Sequence, residues 1–144
     1  MTLPHPRRLT PPAPIGSLLK CAEAPVRPHK NETERDPAYL DMIRQLPCLH
    51  CGMEPCYEAA HVRMASAAFG KASGMARKPP DKWAVPLCPD HHRLLSTSQH
   101  AQGEEVFWAA LGINPLIAAQ SLYAKRGDLV AMRAVVFNTI AARG

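Results

Sequence analysis

Cys48-Leu49-His50-Cys51, followed 37 residues later by Cys88-Pro89-Asp90-His91-His92, is the stretch on which the reading of this chain turns. Two such knuckles can place four soft ligands at the corners of one tetrahedron, the geometry of a closed structural zinc. Cys48, Cys51 and Cys88 supply three thiolates. The fourth place falls to His91, which makes the two pairs symmetrical, or to Cys56, five residues past Cys51, if the loop folds back. His61, His92 and His100 are then left over in the same segment. Imidazoles outside a closed site are what an open, catalytic metal site uses, so the spacing predicts a second cation. The plainer alternative is that these histidines are polar surface around a zinc ribbon that only binds.

The length of 144 residues suits one domain, and a hydrophobic content of 47% suffices for a small core. Residues 1–34 stand apart. Pro4, Pro6, Pro11, Pro12, Pro14, Pro25 and Pro28 alternate there with basic residues and no helical or alternating apolar pattern, which predicts a Pro-rich, basic, disordered arm. The folded domain is then expected over 35–144. The longest apolar patch of the arm, Ile15 to Leu19, is too short for a secretory signal, and no segment approaches the ~20 apolar residues of a membrane span. Five cysteines, an odd number, fit metal ligation in a reducing compartment better than a disulfide framework. A cytoplasmic location is therefore expected.

A formal net charge of +5 points toward a polyanion, and its placement says more than its size. Between His61 and Lys82 lie Arg63, Lys71, Arg77, Lys78 and Lys82 against one acid, Asp81, in a Gly-, Ala- and Ser-rich stretch that reads as a long loop. Such a loop beside a metal site is suited to tracking a phosphate backbone; a solvated loop without a partner is the alternative.

Local signals place these residues on elements. Asp36 or Pro37 opens a short helix through Tyr39, Ile43 and Leu46 that Pro47 stops. Glu58 to Val62 and Lys82 to Leu87 read as strands that pair as a hairpin, the second from the alternation of Trp83, Val85 and Leu87. Asp90 is the expected N-cap of a helix presenting His92 on its first turn. Beyond His100 the chain turns helical: Glu104 to Leu111 ends at Gly112, Asn114-Pro115 opens another helix, and Gly127-Asp128 precedes a last one through Ile140. Core support is the expected use of that last helix, and dimerisation its other use.

Strand, histidine, loop, strand, cysteine, helix with histidine is the ββα-metal order. With Arg35-Asp36-Pro37-Ala38-Tyr39-Leu40, Pro47-Cys48-Leu49-His50-Cys51-Gly52, Ala60-His61-Val62-Arg63, Pro86-Leu87-Cys88-Pro89-Asp90-His91-His92-Arg93 and Gln99-His100 through Phe107-Trp108, the chain resembles the HNH nucleases, specifically the phage and prophage proteins grouped with the RecA-dependent Ref nuclease. The resemblance implies an α+β fold: a small zinc-bound HNH core with a flanking N-terminal helix and a C-terminal helical segment. It also implies a small phage or bacterial DNA endonuclease, with a RecA-type recombinase filament as a candidate partner besides DNA. The chain departs from the family's pattern at Ala60, where many members carry a metal-ligating acid or histidine. It departs again near Trp83, where they carry the asparagine that orients the base; Asp81 is the nearest candidate for that part.

Hydrolysis of a phosphodiester needs a base for water and a cation for the charge on the phosphate and the leaving oxygen. His61 is the candidate base, with a free imidazole titrating near neutrality. His92 and His100 are the candidate ligands of a catalytic divalent cation, Mg2+, Mn2+ or Zn2+, and His61 as a third ligand stays open. The competing function is a noncatalytic zinc-ribbon DNA-binding accessory protein in phage recombination or transcription.

Overall fold

Pro37, with its φ already helical, starts α1 (Pro37–Gln45), and the Asp36 carboxylate accepts the Tyr39 N–H at 3.0 Å to cap it. Tyr39, Leu40 and Ile43 turn inward, and Leu46 leaves the helix in an extended conformation just before Pro47. The computed structural model describes residues 34–72 and 78–143. The predicted arm, apart from Glu34, lies outside the described residues.

Strands β1 (Glu58–His61) and β2 (Ala84–Leu87) pair antiparallel, with Glu58 opposite Leu87 and His61 opposite Ala84. All four residues of β2 are buried, so the expected alternation does not describe it. The cause is cover on both faces. Helices α1 and α4 (Pro115–Ala124) pack on it, and the first knuckle adds a hydrogen bond from Leu49 N–H to the Pro86 carbonyl at 3.0 Å.

Asp90–Leu94 is a single wide turn closed by the Leu95 N–H on the Asp90 carbonyl at 3.0 Å, in place of the expected longer helix. Pro89, not Asp90, holds the cap position. Leu94 and Leu95 are exposed, so no apolar face draws the turn onward. Then follow α2 (Gln99–Gln102), α3 (Glu104–Leu111), α4 and α5 (Leu129–Ala142). Gly112 ends α3 at φ 67°, a left-handed position that favours glycine, and Asn114 caps α4 by accepting from the Leu116 and Ile117 N–H groups.

The fold is therefore α+β, with five α-helices and one two-stranded sheet among the described residues. Ile43, Leu46, Val85 and Leu87 share one core with Phe107, Trp108, Leu122, Met132 and Val136. Two arginines of the last segment hold the knuckle loop: Arg133 pairs with Glu54 at 2.6 Å, and Arg143 donates to the Leu49 and His50 carbonyls at 3.3 and 2.7 Å. No single helix among the described residues is long and apolar enough to cross a membrane.

Candidate metal centre and histidine site

The two knuckles meet. One ligand atom from each of Cys48, Cys51, Cys88 and His91 lies within 4.8 Å of the others. Cys51 Sγ and Cys88 Sγ are 3.9 Å apart, close to the ~3.8 Å edge of a tetrahedron with Zn–S bonds of about 2.3 Å. Cys88 Sγ and His91 Nδ1 are nearer, at 3.0 Å. The surroundings suit a cation bound by thiolates. The His50 N–H points at Cys48 Sγ at 3.4 Å, an outer contact that steadies a thiolate. Burial pushes the Cys48 thiol up to about 12, and Cys88 is raised by the same cause, so a bound cation is what would make the thiolate forms available at neutral pH. The four residues thus fit a structural zinc. Cys56, the open alternative, is elsewhere: its buried thiol donates to the Ile43 and Glu58 carbonyls at 3.2 Å each.

His61 ends β1 and meets Asp81, which opens the turn leading into β2. Their Nε2 and Oδ1 atoms are 2.8 Å apart, and Asp81 is only 2% exposed. The Asp36 N–H donates to Asp81 Oδ2 at 2.9 Å, and Arg35 lies 3.3 Å from Oδ1. Burial works to raise the Asp81 carboxyl, but the hydrogen bonds from His61 and Asp36 outweigh it and hold it below its usual range. His61 is held below its usual value mainly by burial, aided by the Lys78 and Arg35 charges and opposed by Asp81. A neutral imidazole facing a carboxylate donates Nε2–H, which leaves the lone pair on Nδ1 for proton transfer.

His92 and His100 form a second group. Their rings stand edge to face with centroids 4.5 Å apart. Glu58 accepts from His92 Nδ1 at 2.6 Å and pairs with Arg93 at 2.8 Å, which leaves His92 Nε2 for a ligand. Beside them, Arg63, Gln99, His100, Gly103 and Glu104 line an open cleft of about 450 Å³. Glu104, in the first turn of α3, accepts the Arg63 N–H at 2.8 and 2.9 Å and the Met64 N–H at 3.0 Å. That contact fixes the chain just after His61. Among the described residues, the cysteine–histidine cluster alone brings three or more His, Cys, Asp or Glu ligand atoms together in this way.

The expected DNA-contacting cations have different fates. Arg63 and Lys78 are exposed. Lys82 pairs with Glu34 at 3.2 Å, and Arg77 lies outside the described residues. Lys71 is buried at 7% exposure; its ammonium donates to the Met64 carbonyl at 2.6 Å, and Ser66 and Lys71 bridge to close the loop. It is a structural lysine, not a surface charge. The parts that Glu58, Glu104 and Arg35 play at the site are not legible in the sequence. Glu58 and Glu104 find their partners 34 and 41 residues away, and no local spacing announces such contacts.

Residues 22–116 match the family described as "Protein of unknown function (DUF968)", and the chain belongs to that family. No curated protein and no solved structure matches the chain.

Proposed function

We propose that this member of the DUF968 family is a metal-dependent DNA endonuclease of the HNH type, hydrolysing phosphodiester bonds. The observation that carries this reading is the His61–Asp81 pair: a partly buried imidazole, its tautomer set by a carboxylate with Nδ1 left over, at a strand end among exposed cations. In this mechanism His61 Nδ1 takes the proton of the attacking water, and Asp81 holds the ring and stabilises the imidazolium that results. Asp81 takes the part that the HNH pattern gives to asparagine. Arg63 and Lys78 attract the phosphate. His92 and His100 are the residues that would hold a divalent cation, with Glu58 orienting His92, and that cation would supply charge neutralisation at the scissile phosphate. The zinc bound by Cys48, Cys51, Cys88 and His91 is structural in this reading.

The test is plasmid cleavage in Mg2+, Mn2+ or Zn2+. His61→Ala should abolish scission and leave zinc content and DNA affinity near those of the parent. A His61→Ala protein that cuts as well as the parent ends the proposal.

One observation favours a second reading, a noncatalytic zinc-ribbon DNA-binding accessory protein: the ligand cluster built among the described residues is the closed one. Salt-sensitive DNA binding with no scission in any cation would select it. Scission of only recombinase-coated DNA would instead select a nuclease recruited by a RecA-type filament.

A further inference from the structure

Helix α5 is apolar on two sides. Met132 and Val136 are buried in the core, while Val130, Ala134, Phe137 and Ala141 are exposed on the opposite side, Val130 at 74% and Phe137 at 48%. Their spacing of four, three and four residues is the repeat of a coiled-coil seam. A helix with apolar residues all round is ordinarily covered on both sides.

We propose that this stripe pairs with the same stripe of a second copy, antiparallel about a two-fold axis. The occupant is written into the order of side chains. In the antiparallel register centred between Ala134 and Phe137, Phe137 of one copy faces Ala134 of the other, and Val130 faces Ala141. Each large side chain then meets a small one, as interdigitating layers require. A two-fold contact brings one patch against itself, so this self-complementarity is the property such an interface needs. Charge agrees. The stripe has no ionisable group in a chain of net charge +5, and Arg133, which flanks it, is already paired with Glu54 at 2.6 Å. No like charges are brought together. On one flank a shallow groove of about 400 Å³ between α4 and α5, lined by Val135, Asn138 and Ala142, carries the apolar surface on to Ile117, itself 53% exposed. The contact is one helix long, about 20 Å, so it belongs with the small, reversible interfaces.

Two measurements on the full chain, zinc-loaded, test this. Sedimentation equilibrium should show a monomer–dimer equilibrium, with Val130→Lys and Phe137→Glu each weakening it about tenfold or more at unchanged zinc content. A chain that stays monomeric at ~200 µM, or a dimer indifferent to both substitutions, overturns the proposal. For orientation, Val130→Cys and Ala141→Cys chains, each also carrying Cys21→Ser, are oxidised singly and mixed. The 130-to-141 disulfide should form between chains in the mixture. The 130-to-130 disulfide should form poorly, because those positions lie about 16 Å apart along an antiparallel pair. If 130-to-130 forms as readily, the pairing is parallel or nonspecific and the inference fails.

Discussion

His61 Nε2 lies 2.8 Å from Asp81 Oδ1, and Asp81 Oδ2 accepts the Asp36 N–H at 2.9 Å. One carboxylate thus ties together the end of β1, the start of α1 and the turn before β2. Removing it has two separable effects. Asp81→Asn keeps the shape but can present a donor to His61, so the ring can turn or change tautomer. Scission should fall about 100-fold or more, with DNA affinity little changed. Asp81→Ala also leaves the Asp36 N–H and Arg35 without their partner, and urea denaturation should show a loss of about 2 kcal/mol. Full activity in Asp81→Asn would show that the contact serves the fold alone.

The His61–Asp81 environment also sets a pH window. His61 is depressed below its ordinary 6.5, so its contribution to stability is complete above that value and is lost as pH falls through the lower, folded value. Asp81, depressed below its ordinary 3.8, contributes above that value and is lost at still lower pH. The urea midpoint should therefore decline on acidification, and His61→Gln should reduce the loss in the upper window, which His50 and His100, also held below 6.5 by burial, share. The acid limb of cleavage should likewise lie below pH 6.5, because the base works when neutral. An NMR titration that places His61 at or above 6.5 would contradict both statements.

Zinc content is the direct check on the cysteine–histidine cluster. Purified chain should retain about one zinc through dialysis. Cys51→Ser, at the exposed corner, should lower that content and lower the thermal midpoint, since the knuckle carries Leu49 against β2 and receives the Arg143 hydrogen bonds. Cys56→Ser should leave metal content unchanged. Equal zinc loss in both would put Cys56 back among the ligands.

Lys71 and Lys78 should part company. Lys78→Gln, at an exposed cation, should flatten the salt dependence of duplex-DNA binding by about 0.9 in the log–log slope if it contacts one phosphate. Lys71→Met removes a buried donor from the Met64 carbonyl and should change the unfolding midpoint with no change in slope. Fluorescence anisotropy over a salt series and a urea titration read the two effects apart.

By itself the sequence determined the elements whose causes are local. The Asp36-Pro37 start of α1, the Gly112 stop of α3 and the Asn114-Pro115 start of α4 depend on neighbours a few residues away, and all are where the spacing puts them. The pairing of the two strands was legible as well, and so was the meeting of two short knuckles with metal-ligand spacing, because that spacing is itself the geometric requirement. Tertiary structure decided whatever depends on cover from afar. It buried every residue of β2, because α1, α4 and the first knuckle all pack on it. It cut the turn after Asp90 to five residues, because Leu94 and Leu95 find nothing to pack on. Lys71 and Lys78 are the same residue type in the same loop, and only the fold tells them apart: one ammonium is folded onto a carbonyl and the other faces water. Glu58 and Glu104 took their parts the same way, since a carboxylate's partner is whatever the folded chain brings within about 3 Å, and sequence separation places no limit on that.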